Sequence, residues 1–220
     1  MKRVLSTKKL SLAQKELLLN SGLAFVEYEA ISIELLPFQM PTHINNAIFT
    51  SQNAVHSYLN SKAENASVDR CYCVGKKTAA LLAKNGENVV KIEENASILA
   101  NFISKSFNNE TFYFFSGNMR KDDISNIQNS SKNIIFELKT YKTTLKMKKF
   151  DDFFNGIMFF SPSGVLSFTS ENNMGDSVAF CIGSTTAAAA QKFFKNVVVA
   201  NATSVESVIA KTIKTLKEND

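Results

Sequence analysis

Histidine is nearly missing from this sequence, and its absence removes the commonest chemistry first. Only two histidines, His43 and His56, occur in 220 residues. Neither belongs to an HxxxH pair and no CxxC exists, so the spacing that holds zinc or another transition metal is absent and no metal site is expected. The same scarcity leaves no Ser, His and Asp order from which a triad can be assembled, and GxSxG is not found. Cysteine is sparse too: Cys71, Cys73 and Cys181 lie inside apolar, strand-like runs, where reduced and buried thiols are expected. The CxC of Cys71 and Cys73 is read as turning its two thiols to opposite faces of a strand, a poor chelate. Long hydrophobic runs are also lacking. No stretch approaches the roughly 18 apolar residues of a membrane span, and the opening MKRVLSTKKLSL has no apolar h-region, so a cytoplasmic protein with no membrane partner is expected.

Strong charge of one sign is missing as well. The formal net charge is +5 with a pI near 9.0, which favours an acidic ligand. Apart from LKMKKF (Leu145 to Phe150) the lysines are dispersed, and without a basic stripe nucleic acid is not an expected partner. GKKT at Gly75 to Thr78 is short of the P-loop spacing and no GxGxxG occurs, so nucleotide phosphate recognition is not indicated.

What the chain does contain is itself, twice. YCVGKKTAALLAKNG (Tyr72 to Gly86) aligns without gaps on FCIGSTTAAAAQKFFKN (Phe180 to Asn196), placing Cys73, Gly75, Thr78 and Ala79 on Cys181, Gly183, Thr186 and Ala187. Upstream, IFTSQNAV (Ile48 to Val55) falls on MFFSPSGV (Met158 to Val165), with Ser51 on Ser161 and Asn53 on Ser163. The shift is roughly 110 residues, about half the chain. Each unit is a short apolar strand, a turn of Gly, Ser, Thr or Asn, and an amphipathic helix. Strands that alternate with helices and stay apolar throughout belong to parallel sheets covered on both faces.

The expected fold is therefore α/β, with two similar doubly wound, flavodoxin-like domains produced by an internal duplication with exchanged segments. Strands near 48 to 50, 71 to 75, 89 to 92, 111 to 116 and 134 to 138 complete one five-stranded sheet in a continuous central domain, residues 35–143. Residues 1–34 plus 144–220 supply a discontinuous outer domain. ISIELLPF (Ile31 to Phe38) and IIFELKTYKTT (Ile134 to Thr144) are β-rich and pair as a two-stranded bridge.

In open parallel sheets ligands sit beyond the carboxyl ends of the strands, so two sets of turns are expected to face one cleft. The turns are Ser6 and Thr7; Ser51, Gln52 and Asn53; Gly75 to Thr78; Ser116, Gly117 and Asn118; Ser161 to Gly164, which includes Ser163; and Gly183 to Thr186, which includes Thr185. A single Ser, Thr or Asn after a strand reads as a helix N-cap. Recurrence of the same positions in both halves points further, because a strand–turn–helix junction aims backbone N–H groups and a helix dipole at an anion. Rich in hydroxyls and poor in carboxylates, these turns suit a ligand with several acidic groups. Asp122 and Asp123 follow a turn and are read as favouring the first turn of a helix through its dipole. Tyr141 stands apart on the return bridge; it serves either as a half-buried strand tyrosine or as a functional hydroxyl over the cleft.

IFTSQNAV, CVGKKTAALL, FFSGNMRKD, LKTYKT, MFFSPSGV and CIGSTTAAAA, in this order and spacing, resemble the uroporphyrinogen-III synthase family over essentially the whole chain. The chain departs at VLSTKK, where Lys8 stands near a place at which many bacterial relatives carry arginine. The resemblance implies a cofactor-free lyase of tetrapyrrole synthesis, active as a monomer on linear hydroxymethylbilane, a polycarboxylate. Family members lose the hydroxyl as water, close the ring and invert the last pyrrole through a spiro intermediate. It also implies that Tyr141 assists departure of the hydroxyl, while Ser51, Asn53, Thr78, Ser116, Gly117, Asn118, Ser161, Ser163, Thr185 and Thr186 hold carboxylates. A rival from another class is a two-lobed cytoplasmic protein that binds or senses an acidic small molecule without chemistry. A flavodoxin-like electron carrier would fit the sheet but lacks a run for the phosphate of FMN.

Overall fold

The computed structural model describes residues 1–120 and 122–218. The chain packs as two compact units, Met1–Ser32 with Thr144–Asp220, and Ile33–Thr143.

In the first unit, strands β1 (Arg3–Ser6), β2 (Ala24–Glu27), β9 (Gly156–Phe159), β10 (Val178–Cys181) and β11 (Asn196–Val199) form a sheet in the order β11-β10-β9-β1-β2. Every pairing in it is parallel. A second sheet is formed by β3 (Ile31–Leu35), β4 (His43–Phe49), β5 (Ser67–Val74), β6 (Val89–Glu93), β7 (Thr111–Gly117) and β8 (Ile134–Leu145), in the order β3-β8-β7-β4-β5-β6; it lies in the second unit except for Ile31 and Ser32 of β3 and Thr144 and Leu145 of β8, which belong to the first. Set side by side, β2-β1-β9-β10-β11 and β8-β7-β4-β5-β6 are one arrangement, the flavodoxin-like order 2-1-3-4-5. In the second unit the chain enters that order at its third strand, so the unit is a circular permutation of the first.

Helices cover both faces of each sheet. They are α1 (Leu12–Asn20), α6 (Pro162–Thr169), α7 (Ser184–Ala190) and α8 (Val205–Glu218) in the first unit, and α2 (Gln52–Ser61), α3 (Lys76–Lys84), α4 (Ala96–Ser106) and α5 (Ile127–Ser130) in the second. Alternate residues of each strand feed opposite cores, as the two-residue strand period requires. Phe49, Cys71, Cys73 and Phe115 pack on one side with Ala54, Val55 and Tyr58 of α2, whereas Ile48, Tyr72 and Phe114 pack on the other with Leu99 and Ile103 of α4. The CxC expectation is thereby corrected. Residues two apart on β5 share a face, so Cys71 and Cys73 point into the same core and Tyr72 into the opposite one. Burial pushes the Cys71 thiol well up and the Cys73 and Cys181 thiols up to about 12.

Three other expectations shift. β4 and β5 begin at His43 and Ser67, several residues before their apolar runs, because their first halves alternate exposed with buried (β4) or half-buried (β5) side chains and carry polar residues. The two bridge segments do pair, β3 beside β8, but not as a separate ribbon: IIFELKTYKTTL has neither Gly nor Pro to break it and runs on as the 12-residue β8, which is also a strand of the central sheet. Asp122 and Asp123 lie in turns ahead of the four-residue α5 rather than in its first turn.

Candidate active site

The two halves of the order 2-1-3-4-5 diverge between the strands numbered 1 and 3, and the crevice at that switch point is where such sheets take ligands. In the second unit these strands are β7 and β4, and the turns leaving them carry Ser116 to Asn118 and Ser51 to Asn53. In the first unit they are β1 and β9, followed by Ser6 to Thr7 and Ser161 to Ser163.

Ser51 and Ser161 are the N-caps of α2 and α6. Ser51 Oγ accepts from the Ala54 N–H at 3.2 Å and Ser161 Oγ from the Gly164 N–H at 3.0 Å. Their second bonds differ. Ser161 Oγ meets Ser163 Oγ at 3.0 Å, whereas Ser51 Oγ donates to Tyr141 Oη at 3.0 Å. Tyr141 reaches the switch point from β8, in register with Gly117 across a β-bulge at Ser116 and Gly117. Its half-buried ring occupies the space a side chain on Gly117 would need: a Cβ there would overlap Cε2 and Cζ and lie 2.8 Å from Oη.

The turn after β7 is fastened to β8 by its own side chains. Asn118 acts as an extra peptide unit, accepting from the Thr143 N–H at 2.7 Å and donating to the Thr143 carbonyl at 3.0 Å. Ser116 is buried, and its hydroxyl donates to Glu137 at 2.6 Å. Arg120 grips the same carboxylate through Nε and Nη2 and also pairs with Asp122. The Arg120 guanidinium, helped by Ser116 and opposed by burial, holds the Glu137 carboxyl below its ordinary range. Thus Gly117 seats a ring, while Ser116 and Asn118 have their polar groups engaged within the protein.

The carboxylate anchor is duplicated. Ile48 and Met158 are repeat partners; Ile48 pairs with Phe114 and Phe114 with Glu137, while Met158 pairs with Ser6 and Ser6 with Glu27. Glu27 fastens the segment after β1 as Glu137 does the one after β7, accepting from the Leu10 N–H at 2.9 Å and from Lys15 at 2.6 Å. Burial pushes the Glu27 carboxyl up, but Lys15 and that N–H outweigh it and leave it lowered. Sequence reading missed both glutamates. The available signal was a lone carboxylate in an otherwise apolar strand run, IIFEL.

The second pair of turns follows β5 and β10. Here the N-caps are glycines, Gly75 and Gly183, and no side chain caps either helix. Gly75 has φ +84°, which only glycine adopts readily. The first intrahelical N–H bonds come from Ala79 and Ala187, so the N–H groups of residues 76–78 and 184–186 have no acceptor within their helices. Burial runs identically through the two copies: Lys76 and Lys77 are exposed where Ser184 and Thr185 are, and Thr78 is buried where Thr186 is. Among the described residues no side chain or carbonyl partners the hydroxyls of Thr78, Thr185 or Thr186, nor the amide of Asn53. Lys76 and Lys77 likewise have no ion-pair partner there, although cations at a helix N-terminus oppose its dipole. Also among the described residues, no group of three or more His, Cys, Asp and Glu side chains gathers as metal ligands would, and no helix is long and apolar enough to cross a membrane.

Two permuted copies of one doubly wound sheet, with hydroxyl-bearing turns at both switch points and the Tyr141 phenol at one of them, define a duplicated α/β fold. A family model described as Uroporphyrinogen-III synthase HemD matches residues 16–210, and the chain belongs to that family of cyclising lyases of haem biosynthesis. Its reaction closes linear hydroxymethylbilane with loss of water and inversion of the last pyrrole ring, giving uroporphyrinogen III. The fold is similar to that of a mutant uroporphyrinogen III synthase from the extreme thermophile Thermus thermophilus, at TM-score 0.75 and 13% identity over 99% of this chain and 100% of that one. Helicobacter pylori uroporphyrinogen-III synthetase is similar at TM-score 0.67 and 16% identity, covering 98% of this chain and 100% of its own. The wild-type Thermus enzyme in another crystal form gives 0.61 and 13% over 100% and 99%. No curated protein matches the sequence.

Proposed function

We propose that Tyr141 is the catalytic residue of this cyclisation, donating its phenolic proton to the departing hydroxyl, and that the turns hold the substrate's carboxylates. The observation that carries this reading is the position of the phenol: at a switch point, over a glycine, with Ser51 donating to its oxygen. A phenol is protonated at neutral pH and can give up its hydrogen as the C–O bond breaks. The uncapped starts of α3 and α7 are the strongest carboxylate seats, each offering three N–H groups and a threonine hydroxyl, with Lys76 and Lys77 added at α3. Asn53, Ser161, Ser163 and Thr185 line the neighbouring turns. Ser116 and Asn118 support the site by shaping the turn under Tyr141, and Gly117 by leaving room for the ring. On this reading binding does most of the catalytic work, because a pre-oriented ring closure reaches effective molarities of about 10⁵ M or more. The two compact units serve as the enzyme's two domains. The protein works as a monomer in the cytoplasm, on a small polycarboxylate, without nucleic acid, metal or cofactor.

The test is a coupled assay that starts from freshly formed hydroxymethylbilane and separates the product isomers, since uncatalysed closure gives the symmetric isomer I. Tyr141→Phe is expected to lower isomer III formation at least about tenfold, some 1.4 kcal/mol in the barrier, with a much smaller loss of product affinity. Parental activity in Tyr141→Phe would remove the phenol from the chemistry.

A further inference from the structure

The position of Ser51 has a chemical consequence that a capping role does not use. Its oxygen accepts the Ala54 N–H, so a lone pair is committed to α2 and its own hydrogen is directed to Tyr141 Oη. A phenol oxygen that accepts from Ser51 keeps its own hydrogen free for another acceptor. We infer that Ser51 is a positioning residue for the cyclisation: the chain Ala54 N–H to Ser51 Oγ to Tyr141 Oη fixes the phenol as a donor toward the substrate's hydroxyl. This rests on the catalytic role proposed for Tyr141.

Two further observations support it. Ser161, the repeat partner of Ser51, caps its helix in the same way with no phenol attached, so folding of a repeat does not require the Ser51–Tyr141 bond. The Tyr141 ring is also fixed independently by the gap at Gly117 and by the Asn118–Thr143 bonds two residues further along β8. What Ser51 adds is therefore the direction of a proton rather than the placement of a ring. In the chemical step the C–O electron pair leaves with the hydroxyl oxygen, which takes the phenol's proton and departs as water. The phenolate left behind accepts a hydrogen bond from Ser51 and regains a proton from the one that ring closure releases.

The experiment compares Ser51→Ala, Ser51→Thr, Ser51→Asp, Tyr141→Phe and the Ser51→Ala, Tyr141→Phe double variant in the isomer assay, with melting temperatures measured alongside. Ser51→Ala is expected to lower kcat about tenfold with KM nearly unchanged, the pattern of an interaction made in the transition state. Ser51→Thr keeps a hydroxyl and should recover most of the rate. Ser51→Asp is the decisive variant, because an ionised carboxylate caps α2 well but only accepts. It should draw the phenol's hydrogen toward itself, so activity falls below that of Ser51→Ala while the melting temperature is kept. The double variant should be no slower than Tyr141→Phe. Losses that add in the double variant, a rise in KM as the main effect, or a Ser51→Asp faster than Ser51→Ala would each overturn the inference. If Tyr141→Phe is impaired while Ser51→Ala runs at the parental rate, the relay fails and the role of Tyr141 stands; a Tyr141→Phe at the parental rate removes both.

Discussion

Gly117→Ala isolates the placement of Tyr141 more cleanly than any change to the tyrosine. The glycine is not in the left-handed region, so alanine suits its backbone, and on that account alone would add about 0.4–1 kcal/mol of stability through the unfolded chain. The difficulty lies wholly in the ring. The new methyl would overlap Cε2 and Cζ and stand 2.8 Å from Oη, where ordinary contacts begin at 3.4 Å. Tyr141 is only half-buried, so it can yield by moving outward, and overpacking should cost no more than about 1–3 kcal/mol. The move nevertheless breaks the Ser51 hydrogen bond and shifts the phenol by about 1 Å or more, and misplacement on that scale costs on the order of 100-fold in rate. That corresponds to nearly 3 kcal/mol in the barrier. The expected result is a folded protein whose isomer III rate falls about two orders of magnitude while product binding changes little. The assay is run again in a Tyr141→Ala background, where the ring is gone and the added methyl should have no further effect. A Gly117→Ala enzyme at the parental rate would refute the reasoning, and so would an equal loss in the Tyr141→Ala background, which would place Gly117 against the substrate itself.

Thr78→Val and Thr186→Val should each weaken product binding by about 1–3 kcal/mol, as expected when a charge-assisted hydrogen bond is lost, with little change in melting temperature; calorimetric titration of the product checks this. Glu137 is held below the ordinary glutamate range in the folded protein, so the folded state binds fewer protons than the unfolded one through that range. Its contribution to stability is therefore complete at neutral pH, and is lost as pH falls through the ordinary range toward the lowered folded value. Glu137→Gln should flatten that part of the melting temperature–pH curve. Cys71, Cys73 and Cys181 are buried with raised thiol pKa values, so an alkylating reagent at neutral pH should leave the native protein nearly unlabelled and label all three cysteines in denaturant.

The duplication and the parallel sheets were legible because both are local patterns: strand, turn and helix recur in the same order, and apolar runs mark the strands. Strand order was not, since nothing in residues 43–93 announces that they form the third to fifth positions of a sheet whose first two strands come later. The turn residues could be named, but their engagements could not. Asn118 bonds a residue 25 positions away, Ser51 one 90 away, and Ser116 a carboxylate 21 away. Composition carries no trace of such pairings, so the bonds that tie Ser116 and Asn118 to β8 could not be read from the sequence. Glu137 was overlooked for the opposite reason. A glutamate in a strand reads as a solvent-facing residue until Arg120 is seen to reach it.

The register also separates what the duplication copied from what it did not. Glu27 and Glu137 occupy one repeat position, Ser51 and Ser161 another, Ser57 and Ser167 a third; the last two donate to the carbonyls of Thr140 and Lys146 at 2.6 and 3.0 Å. Anchors and caps thus appear in both units. Counting four residues on from each glutamate reaches Tyr141 in one unit and Ile31 in the other. An isoleucine has no proton to give, and the serine that would orient one turns to Ser163 instead. On the proposed reading, carboxylate seats are useful in duplicate to a ligand with acidic groups all round, whereas a single departing hydroxyl needs a single donor. An Ile31→Tyr substitution would therefore add a phenol without adding activity, and Ile31→Tyr in a Tyr141→Phe background should stay as slow as Tyr141→Phe alone. Recovery of isomer III formation in that double variant would show that either unit can supply the proton, and would end the assignment of the chemistry to one of them.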